Sequence, residues 1–317
     1  MTSMYGTRTG VAGIARADLR AWGPLAVMLA LAGCTTGAEP PEVTTTAPKV
    51  SIEQTLAAAQ EDIAARRYPL AYQRLSRLEP AARDLPEVRL IVGEVYLGVG
   101  SPKDALTQFE SLQAEDAYRA RAHQGMGLSL VALNDFNMAK QPLDLALGED
   151  PSLWRSWMAL GRVHDSNQDW QASEAAYVKA LALQPDSPVV LNNIGMSLLL
   201  QHRYQEAAQE FQRALASDPG MEMLRANLRI ALAWQGKYEE AVVGLHGAGR
   251  ADDLNNVGYV AMLRGDQDAA QRFFAQALEA SPTYHEDAAR NLETLRLWAK
   301  ASASQPAAPT RAPEAIN

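Results

Sequence analysis

Small residues recur at a fixed interval of 34 along the middle of the chain. Four glycines carry this interval: Gly93, Gly127, Gly161 and Gly195. The same step reaches Ala59 before them and Arg229 after them, and a last copy centres on Gly258, 29 residues further on. Self-similarity at such a period is typical of repeat proteins, in which each unit packs on its neighbours. The sequence therefore predicts a solenoid.

Two more positions keep step with the small residues. Twelve residues later stand Ala71, Ala105, Ala139, Ser173, Ala207, Ala241 and Ala270. Sixteen residues later stand Leu75, Phe109, Leu143, Tyr177, Phe211, Leu245 and Phe274. Two small residues on facing helices let the helices approach closely, and the larger side chain fills the space beside them. Because proline stops a helix, several units are expected to end at Pro151, Pro185, Pro219 and Pro282.

This pattern is similar to the tetratricopeptide repeat (TPR), a helix–turn–helix unit of 34 residues. The resemblance implies an all-α superhelical solenoid with a C-terminal capping helix over residues 284–300. We assign about seven units, at 52–85, 86–119, 120–153, 154–187, 188–221, 222–250 and 251–284. The composition agrees, because hydrophobic residues reach 47% while aromatic residues are only 7%, and the apolar residues are mostly Ala and Leu.

The sixth unit departs from the pattern. Arg229 replaces the small residue, and the second helix contains Gly244, Gly247 and Gly249. Each glycine disfavours a helix by about 1 kcal/mol relative to alanine. We therefore expect a short or broken helix near 241–250.

The sequence shows no pattern of catalytic residues. The five histidines fall at different repeat positions, and His123 and His164 are expected to be core or boundary residues. The GxG at Gly125 and Gly127 lies inside a predicted helix and lacks a preceding strand, so it is not a phosphate loop. An enzyme would also need a buried polar cluster, which we do not find. We predict a non-enzyme without cofactor, metal or small-molecule substrate, and the net charge of -8 argues against nucleic-acid binding.

A partner-binding groove follows from the TPR resemblance. In that family the first helices line a concave groove with the second, fifth, ninth, twelfth and thirteenth positions of each unit. The implied groove residues are Arg155, Arg162, Asn192, Met196, Leu199, Ile230, Trp234, Asn255, Tyr259 and Met262. Methionine adapts to varied partners, and asparagine can bind a peptide backbone. The alternatives are that the apolar members pack internally and that the two arginines are simply solvated.

The N-terminal residues 1–33 are typical of a secretory signal. Arg8, Arg16 and Arg20 precede an apolar run over 21–32, which is shorter than the roughly 20 residues that span a bilayer. The next residues, Leu31-Ala32-Gly33-Cys34, resemble a lipobox, which implies that Cys34, the single cysteine, carries a lipid. Thr35 is compatible with an outer-membrane location facing the periplasm. An ordinary signal with an incidental cysteine is the alternative.

The segments that flank the repeats differ from them in composition. Residues 34–50 are rich in Thr, Pro and Ala, and we expect a lipidated, flexible tether. Residues 301–317 have the same character and are expected to be a disordered tail. The folded body is therefore placed at 51–300.

The last repeats resemble the TPR lipoproteins of tight-adherence (Flp) pilus systems. The resemblance covers roughly residues 185–297 and includes the run LNNVGYVAMLRGDQDAAQRFFAQALEASP. It implies a lipid-anchored scaffold whose partners are the secretin or other pilus assembly components. Two alternatives stay open. One is a pilotin-type lipoprotein of type IV pili or type II secretion, and the other is an adaptor for a cell-wall enzyme or an outer-membrane insertion complex.

Overall fold

The computed structural model describes residues 51–303 apart from residues 248, 282 and 284, with side chains as far as residue 300. All regular structure in this part of the chain is helical, which confirms the all-α prediction. The helices are α1 (Ile52–Ala64), α2 (Tyr68–Ser76), α3 (Pro80–Arg83), α4 (Pro86–Gly98), α5 (Pro102–Glu110), α6 (Arg119–Ala132), α7 (Phe136–Glu149), α8 (Trp154–Ser166), α9 (Trp170–Leu183), α10 (Pro188–Leu200), α11 (Tyr204–Ser217), α12 (Glu222–Trp234), α13 (Tyr238–Ala241), α14 (Arg250–Leu263), α15 (Gln267–Ala280) and α16 (Glu286–Ala303).

These helices alternate as first and second helices of successive units. The first helices are α1, α4, α6, α8, α10, α12 and α14, and each packs on the helix that follows it in its unit. The turn α3 is an addition to the first unit that the repeat pattern did not predict. Arg83 at its end donates to the backbone carbonyls of Leu78 and Ser76 at 2.8 and 2.6 Å. Those carbonyls lie at and beyond the end of α2, so Arg83 supplies partners that a continued helix would have supplied.

The ends of the second helices follow from short-range chemistry. The side chains of Asp135, Asp169 and Asp266 each accept a hydrogen bond from the backbone N–H three residues later, at 3.2, 3.4 and 3.2 Å. An aspartate in this place satisfies an N–H that the first helical turn leaves unpaired. At the other end, α7, α9 and α11 each stop two residues before a proline, at Pro151, Pro185 and Pro219. The predicted role of these prolines is confirmed, and Pro282 lies outside the described residues.

The turn inside each unit carries one residue with a left-handed backbone. These residues also recur at intervals of 34 and then 29: Arg66, Gly100, Asn134, Gln168, His202, Gly236 and Gly265. Their φ angles lie between 57° and 84°. This conformation costs a side chain other than glycine about 1–2 kcal/mol. The repeated element is therefore the backbone conformation, and the residue type that adopts it varies.

The recurring glycines lie where the two helices of one unit come closest. A methyl group added at Gly161 would lie 2.5 Å from the ring of Tyr177, and one at Gly195 would lie 2.5 Å from the ring of Phe211. The same relation joins Gly93 to Phe109, Gly127 to Leu143 and Gly258 to Phe274. In every case the partner stands sixteen residues later, so the predicted small-to-large pairing is confirmed.

The C-terminal units depart from regularity as the sequence predicted. The second helix of the sixth unit is the single turn α13, and Gly244 and Gly247 follow it with φ of 72° and 79°. The helix α16 then packs on α15 and α14 and buries Ala288, Leu292 and Leu295 in the last hydrophobic cluster. It covers an apolar face of the last repeat that would otherwise meet water, as the end of a solenoid requires.

A candidate partner-binding face

The first helices share one outward stripe. Positions 2, 9 and 13 of a unit fall on one line along an α-helix, because seven or eleven residues complete nearly whole turns. In α10 these positions are Val189, Met196 and Leu200, and all three are exposed or half-buried. We call the outward residues at positions 2, 5, 9 and 13 of α8, α10, α12 and α14 the first-helix face. It contains eight of the ten residues that the sequence assigned to a groove.

The two exceptions stand at position 12. That position lies seven residues after position 5 and close to it in angle, so the packing of the neighbouring helices decides whether its side chain is exposed. Met262 is only 6% exposed and is part of the last hydrophobic cluster. Leu199 is half-buried and packs against the cluster around Phe211. The assignment of Met262 to the groove is therefore corrected, and Leu199 contributes mainly to internal packing.

The apolar members of the face differ in how much they expose. Met196 and Tyr259, both at position 9, are 39% and 38% exposed. The exposed apolar members also include Met223 at position 2 and Leu200 and Leu263 at position 13. Ile230 is half-buried and packs against the last hydrophobic cluster. Trp234 also packs there, and its ring stacks on Tyr204 with centroids 5.2 Å apart and an interplanar angle of 10°. One side of Trp234 therefore belongs to the internal packing.

The polar members of the face form hydrogen bonds between neighbouring helices. Asn227 donates to Asn192 at 2.7 Å, which joins α12 to α10. Asn291 donates to Asn255 at 2.9 Å, which joins α16 to α14. The amide oxygens of Asn192 and Asn255 are thus occupied within the protein. Their –NH₂ groups make no hydrogen bond within the described part of the chain and are the donors that a peptide carbonyl could meet.

The two arginines of the face lie on α8. Arg155 and Arg162 are seven residues apart and share one side of the helix, and both are half-buried. No carboxylate of the described residues lies within 4 Å of either guanidinium. The face thus has a basic end on α8 and mostly apolar side chains across α10, α12 and α14. Its acidic member is Asp252 at position 2 of α14, which lies 3.1 Å from His285.

Comparison with known proteins identifies the repeats. Two models described as tetratricopeptide repeat match the chain, one at residues 125–188 and 158–222 and the other at 198–258. Residues 125–258 are tetratricopeptide repeats. Solved structures agree on the fold. A thermophilic TPR protein of Thermus thermophilus is 22% identical with a TM-score of 0.51 and covers 57% of this chain and 98% of its own. A TPR protein from Parabacteroides merdae is 15% identical with a TM-score of 0.50 and covers 77% and 98%. The predicted TPR solenoid is confirmed.

One curated relative comes from a pilus system. The type IV pilus assembly protein PilF of Pseudomonas aeruginosa is 36% identical over 97 residues. The match spans 31% of this chain and 36% of PilF, so it covers about a third of the length of that relative.

The TPR array also contains a buried polar cluster that the sequence reasoning missed. Asp165 of α8 accepts hydrogen bonds from Ser173 at 2.5 Å, from Ser197 at 2.6 Å and from the hydroxyl of Tyr177 at 2.8 Å. All four side chains are buried. Burial raises the pKa of the Tyr177 hydroxyl, and the Asp165 carboxylate raises it further, so Tyr177 stays protonated and donates.

This cluster holds units together and does not open onto the first-helix face. Its members come from α8, α9 and α10, and the three hydroxyl donors satisfy the carboxylate, which would otherwise be costly to bury. Two departures from the repeat pattern could have revealed it. Ser173 stands where the other units have alanine, and Tyr177 stands where they have Phe or Leu.

Two histidines are predicted by the sequence to be core or boundary residues. His123 is buried, with Nδ1 3.4 Å from a carboxylate oxygen of Glu149, and His164 is partly buried near Asp169. The core-or-boundary prediction for His123 and His164 is confirmed. Within residues 51–303 as described, no group of three or more His, Cys, Asp or Glu side chains could hold a metal ion. In the same residues, no helix is both long and apolar enough to cross a membrane.

Several predictions fall on residues outside the described part. They are the signal over 1–33, the lipid site Cys34, the tether that continues to residue 50, Tyr284 at the start of the predicted cap, and residues 304–317 of the tail. They stay predictions. The sequence predicts that the tail begins at residue 301, but α16 continues to Ala303.

Proposed function

We propose that the chain is a non-catalytic scaffold that binds segments of protein partners on its first-helix face during pilus assembly. The observation that carries this proposal is the 36% identity to the PilF segment in a chain whose TPR face exposes apolar side chains. Tetratricopeptide repeats typically act as scaffolds without catalysis. Methionine and tyrosine at the centre of such a face suit a partner with apolar side chains, since both bury large areas.

The finer proposal concerns place and partner. We propose that Cys34 carries the lipid that anchors the chain at the outer membrane, facing the periplasm. The partners would then be the secretin or other assembly components of a tight-adherence (Flp) pilus. The PilF similarity favours a second candidate, a lipoprotein that acts in the same way on a type IV pilus or a type II secretion system. An adaptor for a wall enzyme or an insertion complex has no comparable support.

Affinity capture from cross-linked native envelopes tests the role of the face. The test variant is Met196→Ala with Tyr259→Ala, which removes two exposed apolar side chains at position 9 of the face. The control is Met138→Ala with Val178→Ala, two apolar residues that are 62% and 60% exposed on second helices. We expect the wild type and the control to retain pilus or secretin components, identified by mass spectrometry, and the test variant to lose them.

Three other results would count against the proposal. Equal capture by the test variant would refute the role of the face. If the control variant also fails to capture these components, exposed apolar residues elsewhere on the array contribute to capture, and the first-helix face has no special role. Capture of cell-wall enzymes or insertion-complex subunits in place of pilus components would favour the adaptor hypothesis instead.

Cell fractionation tests the anchor. Because the lipid on Cys34 is the proposed anchor, Cys34→Ser should move the chain from the membrane fraction to a soluble or uncleaved form. Unchanged membrane fractionation of Cys34→Ser would refute the lipid anchor and leave the fold and the face unaffected.

A further inference from the structure

Two arginines of the first-helix face lack the partners that comparable arginines have. Arg155 and Arg162 are half-buried, and within the described residues no carboxylate oxygen lies within 4 Å of either. The other half-buried arginines each contact a carboxylate: Arg74, Arg89, Arg119, Arg203, Arg225 and Arg229. Half-burial weakens the hydration of a guanidinium, so a carboxylate from outside would bind it more strongly than it binds an exposed arginine.

The spacing of the two guanidiniums determines how far apart two carboxylates of a bound segment must be. Seven residues along α8 correspond to roughly 10 Å. An extended peptide rises about 3.3 Å per residue and its side chains alternate between two faces, so carboxylates that reach both arginines stand two or four residues apart, about 7 or 13 Å. Met158 lies between the arginines along this side of α8, so the floor between the two charges is apolar.

The basic pair continues directly into the apolar part of the face. Arg162 stands at position 9, the same position as Met196, Ile230 and Tyr259 in the next three units. The helices are joined edge to edge. Asn193 of α10 donates to the sulfur of Met158 at 3.4 Å, and Asn227 of α12 donates to Asn192 at 2.7 Å. One ligand can therefore touch the basic pair and the apolar side chains together.

We propose that this face selects a protein segment with acidic residues at one end and apolar residues beyond them. The acidic end lies along α8 and pairs with Arg155 and Arg162, and the segment then turns across the first helices, so that its apolar side chains lie over Met196 and Tyr259. The inference rests on the proposed function, and it adds the chemistry and the direction of the ligand. Charge complementarity orients the segment, because unpaired charge over the apolar units would be desolvated without compensation.

Peptide selection on the purified full chain tests this chemistry. The probe is a displayed library of random twelve-residue peptides. The test variant is Arg155→Gln with Arg162→Gln. The control is Arg66→Gln with Arg77→Gln, which removes two exposed arginines of the first unit that also lack a carboxylate within 4 Å among the described residues. Circular dichroism confirms that each variant is folded.

We expect the wild type and the control to select peptides that combine Asp or Glu with apolar residues. The test variant should keep the apolar preference, lose the acidic one, and bind the selected peptides about tenfold more weakly, as two half-buried charge pairs would predict. That loss should shrink in high salt.

The remaining outcomes separate the two proposals. Selected peptides that are apolar but not acidic, or acidic peptides that the test variant binds as well as the wild type does, would overturn the charge assignment and leave the scaffold intact. Failure of the wild type to select any peptide would overturn both the charge assignment and the use of this face for partners.

Discussion

The close approach of helices at Gly195 makes a quantitative prediction about stability. Gly195→Ala adds one methyl group in the middle of α10, 2.5 Å from ring atoms of Phe211. Phe211 is fully buried between neighbouring helices, so its ring has little room to move away. The substitution therefore has to shift either the ring or the helix.

The magnitude follows from two opposing effects. Replacing glycine by alanine inside a helix stabilises it by up to about 1 kcal/mol. Inserting a methyl group into a well-packed core costs about 1–3 kcal/mol. Gly148 provides the matched control, because it lies in α7 and a methyl group there would meet nothing within 4 Å. Gly148→Ala should thus stabilise the chain, and the difference between the two variants should be about 1–3 kcal/mol.

Urea denaturation followed by circular dichroism measures this difference. Because repeat arrays unfold through nearest-neighbour units, hydrogen exchange of α10 and α11 should localise the loss to the fifth unit. The double variant Gly195→Ala with Phe211→Leu rebuilds the small-to-large pair Ala59–Leu75 of the first unit. It should be more stable than the sum of the two single changes predicts.

One result would refute the reasoning. If Gly195→Ala is as stable as Gly148→Ala, the helices do not require a glycine at their closest approach. The periodic glycines would then have another cause.

The other predictions concern the cluster, an ion pair and the face. Asp165→Ala should lower the free energy of unfolding by on the order of 3 kcal/mol, because three buried hydroxyls lose their acceptor, and Asp165→Asn should lose less; denaturation measures both. Asp62 is hydrogen-bonded to Arg74 and Arg67, and these bonds hold the pKa of its carboxyl below the ordinary 3.8. A lowered pKa stabilises the folded state above pH 3.8 and this stabilisation disappears as the pH falls through the folded value, so Asp62→Asn should flatten the acid limb of stability against pH. Trp234→Ala should lower the free energy of unfolding by about 2–3 kcal/mol because the ring is stacked and packed, whereas Tyr259→Ala should change it little. Thermal unfolding measures both variants, and a larger loss for Tyr259→Ala would contradict the prediction.

The repeat and its internal packing could be predicted from the sequence. The small residue, its partner sixteen positions later and the proline at the end of a unit all lie within one helical hairpin. Their contacts are therefore short in sequence and recur with the period. The same logic located the break after α13, since glycines weaken a helix wherever it stands. It also placed Arg155, Arg162, Met196 and Tyr259 on the first helices.

Contacts between units required the tertiary structure. Met196 lies on the face while Met262 lies in the core. The neighbouring helices decide which of these two methionines is exposed. The hydroxyls around Asp165 come from α9 of its own unit and from α10 of the next. Ser173 and Tyr177 depart from the repeat pattern, but the sequence does not show that Ser197 of the next unit meets the same carboxylate. The left-handed turns could not be predicted from residue type, because Arg66, Gln168 and His202 share a positive φ without sharing a side chain. A periodic sequence determines how a hairpin folds, while the angle at which hairpins stack decides which side chains meet and which face the solvent.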